Sequence, residues 1–309
     1  MKEGHFQILN RCPLKRTRGI IMKIKISKII LYLILGLITI AWIVPILFIF
    51  VLSVSSGESI SQYGYTLFPR EITFDAYTYI IKNPAQIINS YKISIIVTLL
   101  GTFLGVLCTT GLAYAMSRKD FVANKVLNLF VTFALLFHGG LIPTYIVVTQ
   151  WLHLGNTLWV LILTLLVSPW NVFLMRSFIS GIPTELLEAS FIDGATEFQT
   201  YFRIVMPLAK PGLASVGLLI MFGYWNDWYQ GMLYIDDMKL TPLPLLLYKI
   251  ISNIQYVLQN SQYINAANNF PTIGARMATC VIAIAPMMLA FPFFQKYLAK
   301  GLTLGSVKG

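Results

Sequence analysis

Four of the chain's 12 acidic residues, Glu185, Glu188, Asp193 and Glu197, are crowded into one short segment. Carboxylates held on an exposed helix make charge-assisted contacts with a cationic or N–H-rich partner, each contributing about 1.5–3 kcal/mol. The local residues predict such a helix. Pro183 suits a first helical turn, where a missing N–H costs nothing. At 100° per residue, Leu186, Leu187, Ser190, Phe191 and Gly194 share one side. Glu185, Glu188, Ala189 and Asp193 share the other, with Ile192 the exception among them. Gly194 is placed to end the helix in a left-handed conformation. Thr196 with Gln199 then reads as a capping box that opens a second short helix, closed by Pro207 and Pro211. A lone amphipathic helix beside a bilayer ordinarily lies in the headgroups with Lys and Arg on its polar face. The anionic face here points instead to a docked protein.

A second constellation is Trp225-Asn226-Asp227-Trp228-Tyr229, which mixes flat aromatic faces with amide and carboxylate groups. That mixture suits a sugar; it also suits an aromatic belt at a membrane surface. Asp227 is informative because an ionisable group near hydrocarbon depth is costly. Arg276 has three readings: pairing with Asp227, contact with an acidic sugar, or snorkelling to the interface. Asn171 and His138 line a pathway in one reading and bond a neighbouring helix in another. Catalysis finds no support. His5, His138 and His153 are widely spaced without acidic companions, so no metal site is expected. No phosphate-binding loop is present, so the chain does not hydrolyse ATP itself. Asp236-Asp237 resembles a metal-bound sugar-nucleotide pair but falls on the outer face, where no nucleotide is available.

The elements that must position these groups are membrane helices. Of 309 residues, 57% are hydrophobic and 11% charged, with a mean hydropathy of +0.71. Soluble domains average about 25% charged residues, and disordered chains lack such apolar content. Cys12, Cys108 and Cys280 are too few for a disulfide scaffold. Charge-poor runs long enough to cross a bilayer occur at 29–57, 93–117, 126–175 (divided at 151–156), 211–235 and 277–295. The expected fold is therefore all-α and polytopic, with six transmembrane helices. Both termini then share one side, and that side carries 17 of the 23 Lys and Arg. By the positive-inside rule it is cytoplasmic. The net charge of +11 is thus a topology signal, and nucleic acid is not an expected partner.

Residues 1–28 read as a basic cytoplasmic tail, with Met22 an alternative start, and the first span as an uncleaved anchor. Residues 29–300 form the membrane domain, with a cytoplasmic loop at 177–210 and an external loop at 236–271. Residues 301–309 form a cytoplasmic tail. Pro45, Pro143, Pro169 and Pro286 would each kink or loosen a span.

Glu188-Ala189-Ser190, followed by Gly194, Ile204 and Pro207, resembles the EAA loop of permease subunits of binding-protein-dependent ABC importers. The spacing matches throughout; Ser190 stands for an alanine and Met206 for a leucine. Ile182-Pro183, Ile192-Asp193-Gly194-Ala195, Tyr224-Trp225-Asn226-Asp227-Trp228 and the tail from Lys300 resemble the sugar-importer branch, near permeases for oligosaccharides and uronic-acid-containing fragments. The resemblance covers about residues 25–309. It implies a type I importer permease in a bacterial cytoplasmic membrane, forming half of a pathway for an oligosaccharide. It implies as partners a second homologous permease subunit, two ATPase subunits holding ATP and Mg, and an extracytoplasmic solute-binding protein; no cofactor is implied on this chain. Glu185, Glu188, Ala189, Ser190, Asp193, Gly194, Ala195, Ile204 and Pro207 would couple to the ATPase. The external loop would meet the binding protein or cap the external gate, and the C-terminal tail would reach between the nucleotide-binding subunits or simply fray. The rival expectation is an ion-coupled secondary transporter, a class built from inverted repeats; no repeat is visible here.

Overall fold

The computed structural model describes residues 14–81, 84–259 and 272–306. The start of the basic tail, the Gln/Asn-rich end of the external loop and Val307-Lys308-Gly309 lie outside the described residues. Helix is the only extended secondary structure among them, apart from an isolated bridge between Ser55 and Ile72.

The helices are α1 (Leu14–Ser53), α2 (Gly57–Tyr63), α3 (Asp75–Ile80), α4 (Pro84–Ser117), α5 (Asn124–Leu136) and α6 (Leu141–Trp151, ending in a π turn). Next come α7 (Leu158–Leu163), α8 (Pro169–Ile179), α9 (Thr184–Ile192) and α10 (Glu197–Leu208, with a central π turn). The last four are α11 (Lys210–Asn226), α12 (Tyr229–Tyr234), α13 (Leu243–Gln259) and α14 (Thr272–Ser306).

α1 and α4 are long and apolar enough to cross a membrane unbroken. α1 leans on α14 and leaves the apolar window of Lys28–Ser53 unburied by the rest of the chain. α4 is the hub, packed on α11, α8, α5, α7 and α13. Its contact with α11 is made close by glycine. A Cβ on Gly101 would stand 2.5 Å from the Tyr224 ring, and one on Gly105 3.1 Å from Ile220. Small residues let membrane helices approach and gain dispersion contacts where no hydrophobic effect separates helix from lipid. The Tyr224 hydroxyl then donates to the Ile162 carbonyl at 2.7 Å, tying α7 to the same crossing.

The uncharged run 126–175 is more broken than its composition suggests. It divides at 151–156, as the sequence indicates, but also at Phe137-His138-Gly139-Gly140 and at 164–168. At the first of these α5 and α6 meet at 117°. Gly140 has φ +85°, a conformation open to glycine, and Pro143 follows without an N–H. Pro169 starts α8 instead of kinking it. The fifth apolar run likewise ends as a helix at Asn226, short of its last uncharged residue.

Loops gather in two groups. The end of α4 meets α5, α9 and α10 through Tyr114, Arg118 and Asn124. At the opposite end of α4, Asn89 donates to the Lys239 carbonyl and Ser94 accepts from the Leu243 N–H. Asn156, at φ +55°, donates its N–H to the Tyr234 carbonyl and accepts from the Asp236 and Asp237 N–H groups.

Candidate functional site

The acidic segment folds as two short helices joined at an elbow, placed between α8 and α11. Pro183 (φ −56°, ψ 131°) is the residue before the helix, one position earlier than its type suggests. α9 ends in a Schellman motif. The Ala195 N–H reaches back to the Ser190 carbonyl at 2.9 Å, and Gly194 N–H reaches Phe191 at 3.0 Å. Gly194 carries φ +81°, which a side chain would resist. The capping box forms as its residues predict: Thr196 Oγ1 accepts from the Gln199 N–H, and Gln199 Oε1 accepts from the Thr196 N–H. Inside α10 the Met206 N–H reaches Tyr201 across a π turn, next to Pro207, which has no N–H to offer. α10 and α11 meet at 84° around Ala209.

Two buried hydroxyls pin the elbow shut. Ser190 Oγ donates to the Leu187 carbonyl at 2.7 Å, so its single proton is committed, and Thr200 Oγ1 must donate to it across 2.9 Å. Removing Ser190 leaves the Thr200 hydroxyl buried and unmatched, whereas removing Thr200 costs Ser190 its incoming bond but not its own bond to Leu187; removing both is less harmful than the sum. Ser190→Ala and Thr200→Val are each expected to lower stability by about 1 kcal/mol. The double variant should then sum to less than the two singles, read from apparent melting midpoints in detergent.

Burial divides the segment largely as the helical wheel does. Leu187 and Ser190 are buried and Phe191 half-buried. Glu185, Glu188, Ala189 and Asp193 face out, while Ala195 and Ile204 are half-buried and Pro207 is exposed. Leu186 departs from the wheel at 46% exposure, and Ile192 is 86% exposed. The outward face is therefore acidic with apolar side chains interleaved, joined by exposed Phe198 on α10. Glu188 forms no ion pair among the described residues; both ion pairs there belong to Arg118.

Residues beyond the acidic segment complete the elbow. Glu197 takes a hydrogen bond on each oxygen, from the Tyr114 hydroxyl at 2.6 Å and Arg118 Nη2 at 3.2 Å. Tyr201 packs its ring 5.4 Å from Tyr114, and burial pushes its phenol above the ordinary range. In the sequence Arg118 is one of the 17 basic residues on the side expected to be cytoplasmic, and Tyr114 belongs to no motif. No local pattern links them to Glu197.

The aromatic constellation is split by the fold. Trp225 is 6% exposed, with its Nε1–H on the Ala283 carbonyl at 3.2 Å. It borders an apolar cavity of about 150 Å³ between α4, α11 and α14, lined also by Leu99, Met221 and Pro286. Asn226 is exposed and donates to Phe222 of its own helix. Asp227 accepts from the Gln230 N–H, closing the turn into α12. Trp228 and Tyr229 stay partly exposed, and Trp228 stacks on Tyr248 of α13 with centroids 4.4 Å apart. Tyr248 thereby joins the group from a remote position. Asn171 lies half-buried in the first turn of α8, and Arg276 half-buried near the start of α14. Arg276 and Asp227 form no ion pair in the described structure. His138 Nδ1 accepts from the Gly140 N–H within the break between α5 and α6.

Comparison with known proteins places this geometry. Residues 17–304 match the family described as binding-protein-dependent transport system inner membrane component. Protein LplC of Bacillus subtilis (strain 168) is 35% identical over 267 residues, covering 86% of this chain and 90% of LplC. The polygalacturonan/rhamnogalacturonan transport system permease protein YtcP of the same organism is 32% identical over 288 residues, covering 93% of this chain and all of YtcP (100%). A chain from the crystal structure of a bacterial ABC transporter involved in import of the acidic polysaccharide alginate superposes with a TM-score of 0.76. It is 27% identical, with 89% of this chain and 97% of that chain covered. Such permeases are transport components and not enzymes. A match over nearly the whole length, two relatives above 30% identity and a shared helical fold lead to one conclusion: the chain belongs to the family of inner membrane components of binding-protein-dependent transport systems.

Proposed function

We propose that this chain is one of two permease subunits of an ABC importer for an oligosaccharide, driven by ATP hydrolysis in a partner. The observation that carries the reading is the elbow. A mechanical link must be rigid, exposed and joined to moving helices. The Schellman motif, the capping box and the Ser190–Thr200 bond supply rigidity. The acidic and apolar face from Glu185 to Ile192 is exposed, and α8 and α11 flank it. Glu188 then meets an Arg or backbone donor of the ATPase, and Leu186 and Ile192 fill apolar recesses beside it.

In this reading six spans cross a bacterial cytoplasmic membrane with both termini and the elbow inside. The grouping of loops at the two ends of α4 accords with the charge bias. Two ATPase subunits hold ATP and Mg, a second homologous permease supplies the other half of the pathway, and an extracytoplasmic binding protein delivers the sugar. The names of YtcP, a polygalacturonan/rhamnogalacturonan permease, and of the alginate importer support an oligosaccharide-type substrate. Trp228, Tyr229 and Tyr248 offer the partly exposed aromatic faces, with Asn226, Asn171 and Arg276 as polar candidates; Trp225 and Asp227 support them through packing and a turn.

The test is uptake into proteoliposomes holding the co-purified complex, using sugar identified by mass spectrometry of the binding protein's ligand. Uptake should require internal ATP and survive collapse of ion gradients; dependence on a gradient without ATP would indicate a secondary transporter. Trp228→Ala is expected to lower uptake about tenfold, the equivalent of about 1.4 kcal/mol, with subunit assembly intact. Native uptake by that variant would remove Trp228 from the pathway.

A further inference from the structure

The elbow is covalently continuous with two helical regions, yet a third helix grips it. Arg118, just past the end of α4, reaches both halves of the elbow at once. Its guanidinium donates to Glu197 in the first turn of α10 at 3.2 Å and stands 4.9 Å from the centre of the Phe191 ring in α9. Gly194 lies between those two anchor points. Tyr114, one turn earlier on α4, holds the other oxygen of the same carboxylate. The arginine is itself held in place. Asn124 Nδ2, at the start of α5, donates to the Met116 carbonyl at 3.0 Å and the Arg118 carbonyl at 2.6 Å, closing the end of α4.

Exposure separates the strong contact from the weak one. The Arg118 side chain is 17% exposed, Glu197 60% and the second acid, Asp120, 83%. The Asp120 pair, at 3.4 Å, is the screened partner, whereas the Glu197 pair is reinforced by a phenol and an aromatic face. A planar guanidinium suits this double duty because it can donate in its plane while presenting a face to a ring.

We propose that Arg118, assisted by Tyr114, is a positioning residue that fastens the elbow to the end of α4, so that elbow motion is passed to α4 as well as to α8 and α11. The proposal rests on the coupling reading above and extends it to a helix that the acidic segment does not adjoin in sequence. α4 is the hub of the fold and packs on α11, α8, α5, α7 and α13. A pull delivered there acts directly on α5, α7 and α13, whereas one delivered through the loop's own ends enters at α8 and α11 and meets those helices at second hand.

The experiment measures Mg-ATP hydrolysis by the purified, reconstituted importer complex with and without its binding protein. It compares the native chain with Arg118→Gln, Arg118→Lys and Glu197→Gln. Arg118→Gln should keep assembly and basal hydrolysis but lose at least about fivefold of the stimulation by the binding protein, the lower end of ordinary coupling between sites. Arg118→Lys should recover part of it, because charge remains within reach of Glu197 while the stacked face is lost. A purely structural role would instead lower assembly and both rates together. Native stimulation in an assembled Arg118→Gln complex overturns the proposal. Should that variant fail to assemble, Glu197→Gln decides, since it keeps shape at a more exposed position; native stimulation there overturns it equally. A photocrosslinker at Leu186 separates the two readings. Capture of the ATPase together with native stimulation in the variants sinks only the clamp; absence of capture sinks the coupling reading and the clamp with it.

Discussion

Gly194→Val is expected to reduce uptake to background while the chain still inserts and accumulates in the membrane. An ideal Cβ at this position meets nothing within 4 Å, so the lesion is not a collision. It is conformational. At φ +81° an ordinary residue is penalised by about 1–2 kcal/mol, and a β-branched one fits worse still. Relaxing the backbone would break the two Schellman bonds to Ser190 and Phe191, each contributing about 1 kcal/mol. α9 is a nine-residue helix, too short to persist on propensity alone. Its joint, and the outward face it presents, should therefore melt locally without unfolding the spans. Asn tolerates the left-handed region, so Gly194→Asn should retain a measurable part of the uptake. Uptake assays paired with immunoblots of the membrane fraction check both statements; native transport by the valine variant would show that the joint need not be stiff.

The second large effect is expected at Gly101. A Cβ there would lie 2.5 Å, 2.6 Å and 2.7 Å from three atoms of the Tyr224 ring, inside any allowed contact. The ring cannot swing away freely because its hydroxyl is held by the Ile162 carbonyl. Gly101→Ala must therefore part α4 from α11 or break that bond. Overpacking of this kind costs about 1–3 kcal/mol, and the lost hydrogen bond about 1 kcal/mol more. The expected result is a marked fall in the apparent melting midpoint of the purified subunit, with Gly101→Leu failing to accumulate. Gly36 in α1 is the control, since nothing lies within 4 Å of its Cβ position; Gly36→Ala should leave the midpoint unchanged.

What was legible in the residues is what neighbours decide. Gly194 at the end of α9, and Thr196 with Gln199 at the start of α10, are set within six positions, and the structure realises both. Helical character follows from apolar runs too long and too continuous for strands. What was not legible is decided across distance. Leu186 reads as inward on a wheel, yet no neighbouring element covers it. The break at Phe137–Gly140 sits inside an uncharged run where periodicity carries no signal. Trp225 looks like its exposed neighbours until Leu243 and Leu247 of α13 and the Ala283 carbonyl of α14 bury it. Glu197 finds Arg118 and Tyr114 at separations of 79 and 83 residues, where sequence patterns are silent. The carboxylates of the acidic segment share neither a helix nor a role: Glu188 points outward from α9, while Glu197 opens α10 and is engaged by Tyr114 and Arg118 at the end of α4.

The central claim is that a partner nucleotidase seats against this elbow. Ile192, exposed on its tip, is the position to interrogate. In native membranes, Ile192→Cys carrying a short thiol-directed crosslinker is predicted to capture a nucleotide-hydrolysing subunit, with a yield that changes when Mg-ATP is trapped by vanadate. A transport-competent variant whose crosslinks never include such a subunit would contradict the account.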